Sequence, residues 1–554
     1  MISRRGRKPK SGNRRDDPAW LTFGADQYVV LAVARTLTSA YRLLEAVHWF
    51  RDDFRVQLIF TVDESSAFST GVRELLRESG ADLVAWSRIE DRSFDYHLAL
   101  TASENIDFSA LRAHTILLPH GLGFNKHVPN GKALRLAGLP PHSAIRAGKV
   151  TISLSHREQR EQLAAISPDI APATEVVGDP TLDRLRASRP LRALYREAFG
   201  TGDRTLIVIA STWGEHSAIA RWRTLPVRLL SALDADAYQV LLVLHPNIWS
   251  RYGRLQIEVW LSAALDAGLI LMPPESGWHA ALIAADQVIT DHGSLGLFAA
   301  ALDKPLLMAG GAAETVTGTP VAALTEAAER LRPGDDLVQQ LDDARKRHVP
   351  GQFDDITDRV FDHVGEATRN IQRLIYRRLD ITPPAHTSSL TRIPVPHCVI
   401  RTVTGYVVRT APIEDATLTL ERIPASVWHR RADPDRYETH VTASETEPDP
   451  KILERAAAVT SSRTLDYPAA QVWAHATLAD HPGARLAVTA TSAGFRAVAR
   501  GGAVIEADAQ VDGAQVQLIA SAMYCWLLAA SPRHEDITIR AGTISITVSF
   551  KIFR

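Results

Sequence analysis

Cysteine is nearly absent from this chain. Only Cys398 and Cys525 occur in 554 residues. Neither has a neighbour at metal-ligand spacing, and one pair is a weak framework for so long a chain. This argues against a disulfide-built or cysteine-metal protein and fits a reducing cytoplasm. Long hydrophobic runs are also missing. No stretch approaches the ~18–20 apolar residues of a membrane span. The N terminus is basic, but no apolar signal-peptide core follows it. Neither sign of charge is in excess: the net charge is −1, so the molecule as a whole has no bulk field for a polyanion. Lysine is scarce beside arginine and alanine, which suggests a GC-rich bacterial genome.

What is present is a globular composition, 45% apolar and 23% charged, in a chain too long for one core. Two or three domains are expected. Residues 1–18 (MISRRGRKPKSGNRRDDP) are polar, basic and aperiodic, and read as a disordered tail. Its charge also suits a tether to an anionic membrane surface, where each basic residue gains about 1 kcal/mol, or to nucleic acid.

From Gln27 the pattern alternates strand and helix. Strands are predicted over Tyr28–Val33, Val56–Val62, Leu83–Trp86, Tyr96–Thr101 and Thr115–Leu118, with helices at Thr38–Phe50 and Gly71–Ser79. A second run starts near Arg204, with strands at Leu206–Ala210, Val240–Leu244, Leu269–Met272, Gln287–Thr290 and Leu306–Met308. Such alternation predicts two parallel, Rossmann-like α/β domains, an N-terminal one over 19–185 and a nucleotide-binding one over 186–380. An amphipathic closing helix, Asp354–Arg378, is expected to lie across both halves. Residues 381–396 are rich in Pro, Ser and Thr and read as a linker. Residues 397–554 show period-2 alternation in several segments and read as a separate α+β or mainly β domain without a catalytic motif.

Four clusters fall at predicted strand ends. His120-Gly121-Leu122-Gly123-Phe124-Asn125-Lys126 pairs glycines, which let a backbone approach a ligand, with an imidazole that can act as a base and a lysine that can hold phosphate. The alternative is a surface histidine in a loop. Gly178-Asp179-Pro180-Thr181 is a turn signal between the halves; it reads first as structural, with a role for Asp179 and Thr181 in lining a cleft as the alternative. His245-Pro246 ends a buried strand, where proline holds the imidazole in an extended segment that can meet a phosphate. Asp291-His292-Gly293-Ser294 joins a buried strand to a helix. Gly293 and Ser294 offer backbone N–H groups and a hydroxyl to a phosphate, Asp291 suits a ribose or acceptor hydroxyl, and Ser294 also reads as a plain N-cap.

The string AADQVITDHGSLGLFAAALDKPLLM resembles the donor-site segment of the CDP-glycerol glycerophosphotransferases, the polymerases and primases of wall teichoic acid. His245-Pro246 matches that family's His-Pro after a buried strand, and His120-Gly121 with Lys126 is similar to its His-Gly loop. Gly178-Asp179-Pro180-Thr181-Leu182-Asp183 resembles the Gly-Asn-Pro-x-x-Asp turn shared with the UDP-N-acetylglucosamine 2-epimerases. The resemblance covers residues 25–380 in fragments. Leu122-Gly123 stands where the family has Thr-Pro, and His292-Gly293 where it has an aromatic and Ser. The apolar helix after Ser294 lacks the acidic residues of the epimerases, which separates the chain from them.

The resemblance implies a GT-B arrangement and a transferase that moves a glycerophosphate or glycosyl group from a nucleotide diphosphate donor to a polyol or glycan hydroxyl of a cell-envelope or other glycopolymer. It implies His120 as base, Lys126 offsetting charge on the leaving phosphate, and His245, Asp291, Gly293 and Ser294 around the nucleotide, with Gly121, Asp179 and Thr181 lining the cleft. No cofactor is expected beyond the nucleotide-linked donor, and the chemistry is expected to be metal-independent in the cytoplasm or at the inner face of the membrane. Other readings are a sugar-nucleotide glycosyltransferase, or a non-catalytic scaffold whose C-terminal domain recruits a protein partner.

Overall fold

The computed structural model describes residues 28–119, 121–130, 133–275, 277–385, 390–431, 439–509, 515–529 and 536–553. The basic tail at 1–18, His120 and residues 386–389 of the expected linker lie outside the described residues. The chain forms two compact units. The first runs up to Ala187 and resumes at Ile356–Arg392; the second takes Ser188–Asp355 and continues from Ile393.

The first unit contains β1 (Tyr28–Ala34), β2 (Val56–Val62), β3 (Leu98–Thr101), β4 (His114–Leu117), a hairpin of β5 (His127–Asn130) and β6 (Ala133–Leu136), β7 (Val150–Leu154) and β8 (Thr174–Val176). Six of these make one parallel sheet, in the order β2-β1-β3-β4-β7-β8. The predicted strand at Leu83–Trp86 shrinks to a single parallel bridge, Leu83 to Phe60, beyond β2. Strand β1 is buried from Val30 to Ala34 because both faces of a parallel sheet are covered.

One cover is the helix Ala367–Arg378, whose Ile371, Leu374, Ile375 and Tyr376 share a core with Val30, Leu43, Leu76 and Leu98. The expected closing helix is therefore two pieces, Asp354–Thr357 and Ala367–Arg378. His363 (φ 52°) and Gly365 (φ 85°) turn the backbone out of helical space between them. The longer piece belongs to the first unit, not to the second domain as expected.

The second unit opens with β9 (Thr205–Ser211), β10 (Tyr238–Leu244), β11 (Ile270–Met272), β12 (Gln287–Thr290), β13 (Leu306–Met308) and β14 (Glu329–Arg330). All are parallel, in the order β11-β10-β9-β12-β13-β14. Numbered within the sheet this is 3-2-1-4-5-6, the order of dinucleotide-binding sheets.

Residues beyond 404 close into a barrel, a more definite architecture than the α+β or mainly β domain expected. Its strands are β15 (Gly405–Thr410), β16 (Thr417–Pro424), β17 (Thr439–Ser444), β18 (Ala456–Thr460), β19 (Leu486–Thr491), β20 (Gly494–Ala499), β21 (Val504–Asp508), β22 (Asp536–Ala541) and β23 (Ile544–Phe553). The helix Val516–Leu528 is apolar all round, and Leu518, Ile519 and Met523 share one core with Val408, Leu420, Val488, Ile505 and Ile539 from strands around the barrel.

The barrel is not a separate body. Arg422 on β16 donates from Nε to Asp236 Oδ2 at 2.7 Å, and its guanidinium lies 4.4 Å from the Tyr406 ring. Beside this pair, burial and the Asp236 charge push the Asp234 carboxyl up to about 6 from 3.8. Because the folded value is the higher one, this stabilisation is complete below about 3.8 and lost as pH rises through about 6. Asp234→Asn keeps an oxygen for the Asp236 and Arg422 N–H groups and removes the charge. It should raise stability at pH 7.5 by about 2 kcal/mol and have little effect at pH 4. Urea titrations of both proteins at the two pH values check this; equal differences would refute it.

Candidate anion site at the strand switch point

In a 3-2-1-4-5-6 sheet the connections leave strands 1 and 4 in opposite directions, and the loops there part to form a crevice at the carboxyl edge. Here those strands are β9 and β12. Asp291 follows β12 and is 2% exposed. Its Oδ2 accepts from the N–H groups of Thr212 (2.9 Å) and Ala218 (2.8 Å), and its Oδ1 from Gly293 N–H (2.9 Å). The carboxylate thus ties the loop after β9 to the loop after β12. Burial pushes its pKa up, against the pull of these donors and of His292. Gly310, just beyond β13, lies so near that an added Cβ would run into Asp291. In this structure Asp291 holds loops together.

Gly293 is the N-cap of the helix Ser294–Ala301 and provides no capping side chain. Ser294 is the first residue inside the helix rather than its cap. The helix is apolar because it is buried, with Gly296, Leu297, Phe298, Ala299 and Ala300 enclosed. Its first N–H groups and dipole favour an anion at this edge. His245 follows the neighbouring β10. Its Nδ1 accepts from Asn247 N–H at 3.1 Å, so a neutral ring carries its proton on Nε2. The ring lies 6.3 Å, centroid to centroid, from Trp213 in the loop after β9. Groups from three adjacent strands, β10, β9 and β12, therefore border one crevice edge.

The sequence reading missed Thr212, Trp213, His216 and Ala218, and also Gly310, Gly311 and Glu314 after β13. A signal was available. Thr212-Trp213-Gly214-Glu215-His216 is the first polar run after the first strand of this half, where such sheets bind ligands.

In the first unit, Gly121 and Lys126 lie in the loop after β4, and the expected base just before Gly121, His120, is outside the described residues. Asn125 Nδ2 donates to Leu122 O at 2.6 Å and Gln162 Nε2 to Phe124 O at 2.9 Å, which fixes the loop. Lys126 is half-buried and leads into β5. The Gly-Asp-Pro string does structural work. Asp179 Oδ1 accepts from Thr181 N–H (2.7 Å) and Leu182 N–H (3.2 Å), capping the helix Pro180–Ser188. Thr181 Oγ1 accepts from Arg42 at 2.8 Å, and Asp183 accepts from Gly365 N–H at 2.6 Å. Gly178 has φ 86°, and a Cβ there would sit 2.6 Å from Asp362 O. Asp179 and Thr181 are buried with these partners. The returning segment 356–392 is anchored by Asp183 and by the close approach at Gly178, while Asp179 and Thr181 spend these bonds on the helix start and on Arg42.

The fold defines a class: an α/β protein with two Rossmann-like parallel sheets and a nine-stranded barrel in one compact unit with the second. Among solved structures the chain is similar to the wall teichoic acid polymerase TagF, at 13% identity and a TM-score of 0.43, over 64% of this chain and 89% of that one. It is also similar to S. aureus MnaA in a co-structure with UDP, at 10% identity and 0.42, over 65% and 99%. A third is the UDP-GlcNAc 2-epimerase from Neisseria meningitidis bound to UDP-GlcNAc, at 12% identity and 0.41, over 63% and 100%. No family model and no curated protein matches the chain. Among the described residues no helix is long and apolar enough to cross a membrane, and no group of three or more His, Cys, Asp or Glu side chains could hold a metal ion.

Proposed function

We propose that the chain is a transferase that binds a nucleotide diphosphate-linked donor on its second Rossmann-like sheet and passes a glycerophosphate or glycosyl group to an acceptor hydroxyl. The observation that carries this reading is the crevice edge itself. His245 and the N terminus of Ser294–Ala301, whose N-cap Gly293 has no side chain, border the switch point of a 3-2-1-4-5-6 sheet, with the loops tied by Asp291. Backbone N–H donors held by a rigid scaffold offset phosphate charge without reorganising. His120 and Lys126 enter through the motif resemblance, as base and as charge-offsetting group on the acceptor side.

Calorimetry with CDP, CMP, UDP and GDP tests the binding half. His245→Ala and Ser294→Ala should each weaken binding by roughly three- to thirtyfold, the scale of one hydrogen bond to a charged group. His120→Ala should leave binding intact and abolish transfer from CDP-glycerol or a sugar nucleotide. Wild-type protein that binds none of the nucleotides would remove the basis of the proposal.

A further inference from the structure

The barrel carries a pocket of its own, away from the nucleotide crevice. Val407 on β15, Val441 on β17 and Ile452 on the helix Pro450–Arg455 form apolar walls, and Trp428 of the short helix Ala425–Arg430 adds an aromatic one. The space enclosed is about 60 Å³, which suits a short aliphatic chain and excludes a nucleotide. Water against such walls lacks hydrogen-bond partners, so an apolar group gains by displacing it.

The lining is not apolar throughout. Arg455 and His429, both exposed, complete it. The Arg455 guanidinium makes no ion pair or hydrogen bond with the described residues. The acidic groups nearby are engaged elsewhere. Glu447, next to Ile452 across Gly405, accepts from Thr404 Oγ1 at 2.7 Å and from Asp449 N–H at 3.1 Å. Glu421 accepts at 3.2 Å from Arg431, whose guanidinium lies 5.6 Å from the Trp428 ring. Arg455 therefore offers a free cation at the edge of an apolar space, and His429 adds a ring nitrogen that donates when neutral. A carboxylate is the group that a planar guanidinium meets with two parallel bonds.

The pocket also touches the joint between barrel and sheet. Val427 belongs to the core of the second Rossmann-like sheet, with Leu229 and Leu261. Its neighbour Trp428 belongs to a barrel core, with Val407 and Val441. Consecutive residues of one short helix are held by two cores, so a group seated on Trp428 bears on that joint.

We propose that this pocket binds a carboxylate carrying a short aliphatic group, with Arg455 on the carboxylate and the aliphatic group against Trp428, Val407, Val441 and Ile452. Such a group is either a free short-chain acid or the carboxyl-terminal residue of a peptide. The proposal stands apart from the nucleotide reading.

The test is calorimetry, with thermal unfolding in parallel, on the full chain. The probes are isovalerate, its neutral amide, and a short peptide ending in valine with its carboxyl terminus free or amidated. Wild type should bind isovalerate and the free-ended peptide, and each should raise the melting temperature because it binds the folded state. The two amides should bind at least roughly tenfold more weakly. Arg455 is exposed, so Arg455→Gln should keep the wild-type melting temperature and weaken both acids by roughly ten- to a hundredfold. Ala425→Leu, which fills the pocket from a half-buried position in its lining, should abolish binding of both. Tighter binding of the peptide assigns a chain end as the source, and tighter binding of isovalerate assigns a small acid. Wild type that binds none of the probes, amides that bind as well as the acids, or unchanged binding by Arg455→Gln or Ala425→Leu overturns the proposal.

Discussion

Asp291→Ala should cost the second unit about 4 kcal/mol and abolish nucleotide binding. The carboxylate is the only acceptor the described residues show for the N–H groups of Thr212, Ala218 and Gly293 outside regular pairing, and alanine leaves all three without one. Each buried, unsatisfied donor costs about 1–3 kcal/mol, and partial relaxation keeps the total below the sum. Asp291→Asn separates folding from binding. Its oxygen can still serve Thr212 and Ala218, but its amide then opposes Gly293 N–H, the group that sets the entry to Ser294–Ala301. This variant should fold with a loss of about 1–2 kcal/mol and bind nucleotide at least roughly tenfold more weakly. Urea unfolding and calorimetry measure the two effects. Wild-type binding by Asp291→Ala would show that the loop ties do not shape the site.

Arg422→Ala should destabilise the second unit by about 3–5 kcal/mol, the cost of stranding one member of a buried ion pair. Arg422 and Asp236 are 8% and 6% exposed, and Asp234 adds a second carboxyl to the same enclosure. Without the guanidinium two acidic groups face each other out of water. The double variant Arg422→Met with Asp236→Leu should recover most of the loss, because a buried pair exchanged for apolar side chains is close to neutral. Urea unfolding of wild type, both single variants and the double variant checks the coupling. Additive losses would mean that the pair is not what joins barrel and sheet.

Much of the two parallel sheets was legible because buried parallel strands are continuous apolar runs, such as Leu241–Leu244, with punctuation at each end. Strands β7, β8 and the two-residue β14 were missed. Ser and Thr interrupt the first, and the second is only Thr174–Val176. The barrel was visible only as alternation. Its closure depends on pairings such as β16 with β22, parallel partners more than a hundred residues apart, which no local pattern encodes. The site divided in the same way. His245 and Ser294 stand at strand ends and could be read locally. The work of Asp291 could not, since two of its donors lie 73 and 79 residues away. For Asp179 the turn chemistry was legible, but not the segment that the turn would anchor.

The first unit draws on two stretches of chain, with the whole second Rossmann-like sheet encoded between them. On the ribosome, β1 to β8 emerge long before Ile371, Leu374 and Tyr376, side chains that cover part of one face of the first sheet. Until then part of that apolar face waits for its cover while some 170 further residues are synthesised, at about 5–20 residues per second. The nascent chain therefore passes through an interval in which its first-made domain has only the cover of its own helices, through residues such as Leu43 and Leu76, and a fragment ending at Ala187 would lack the rest.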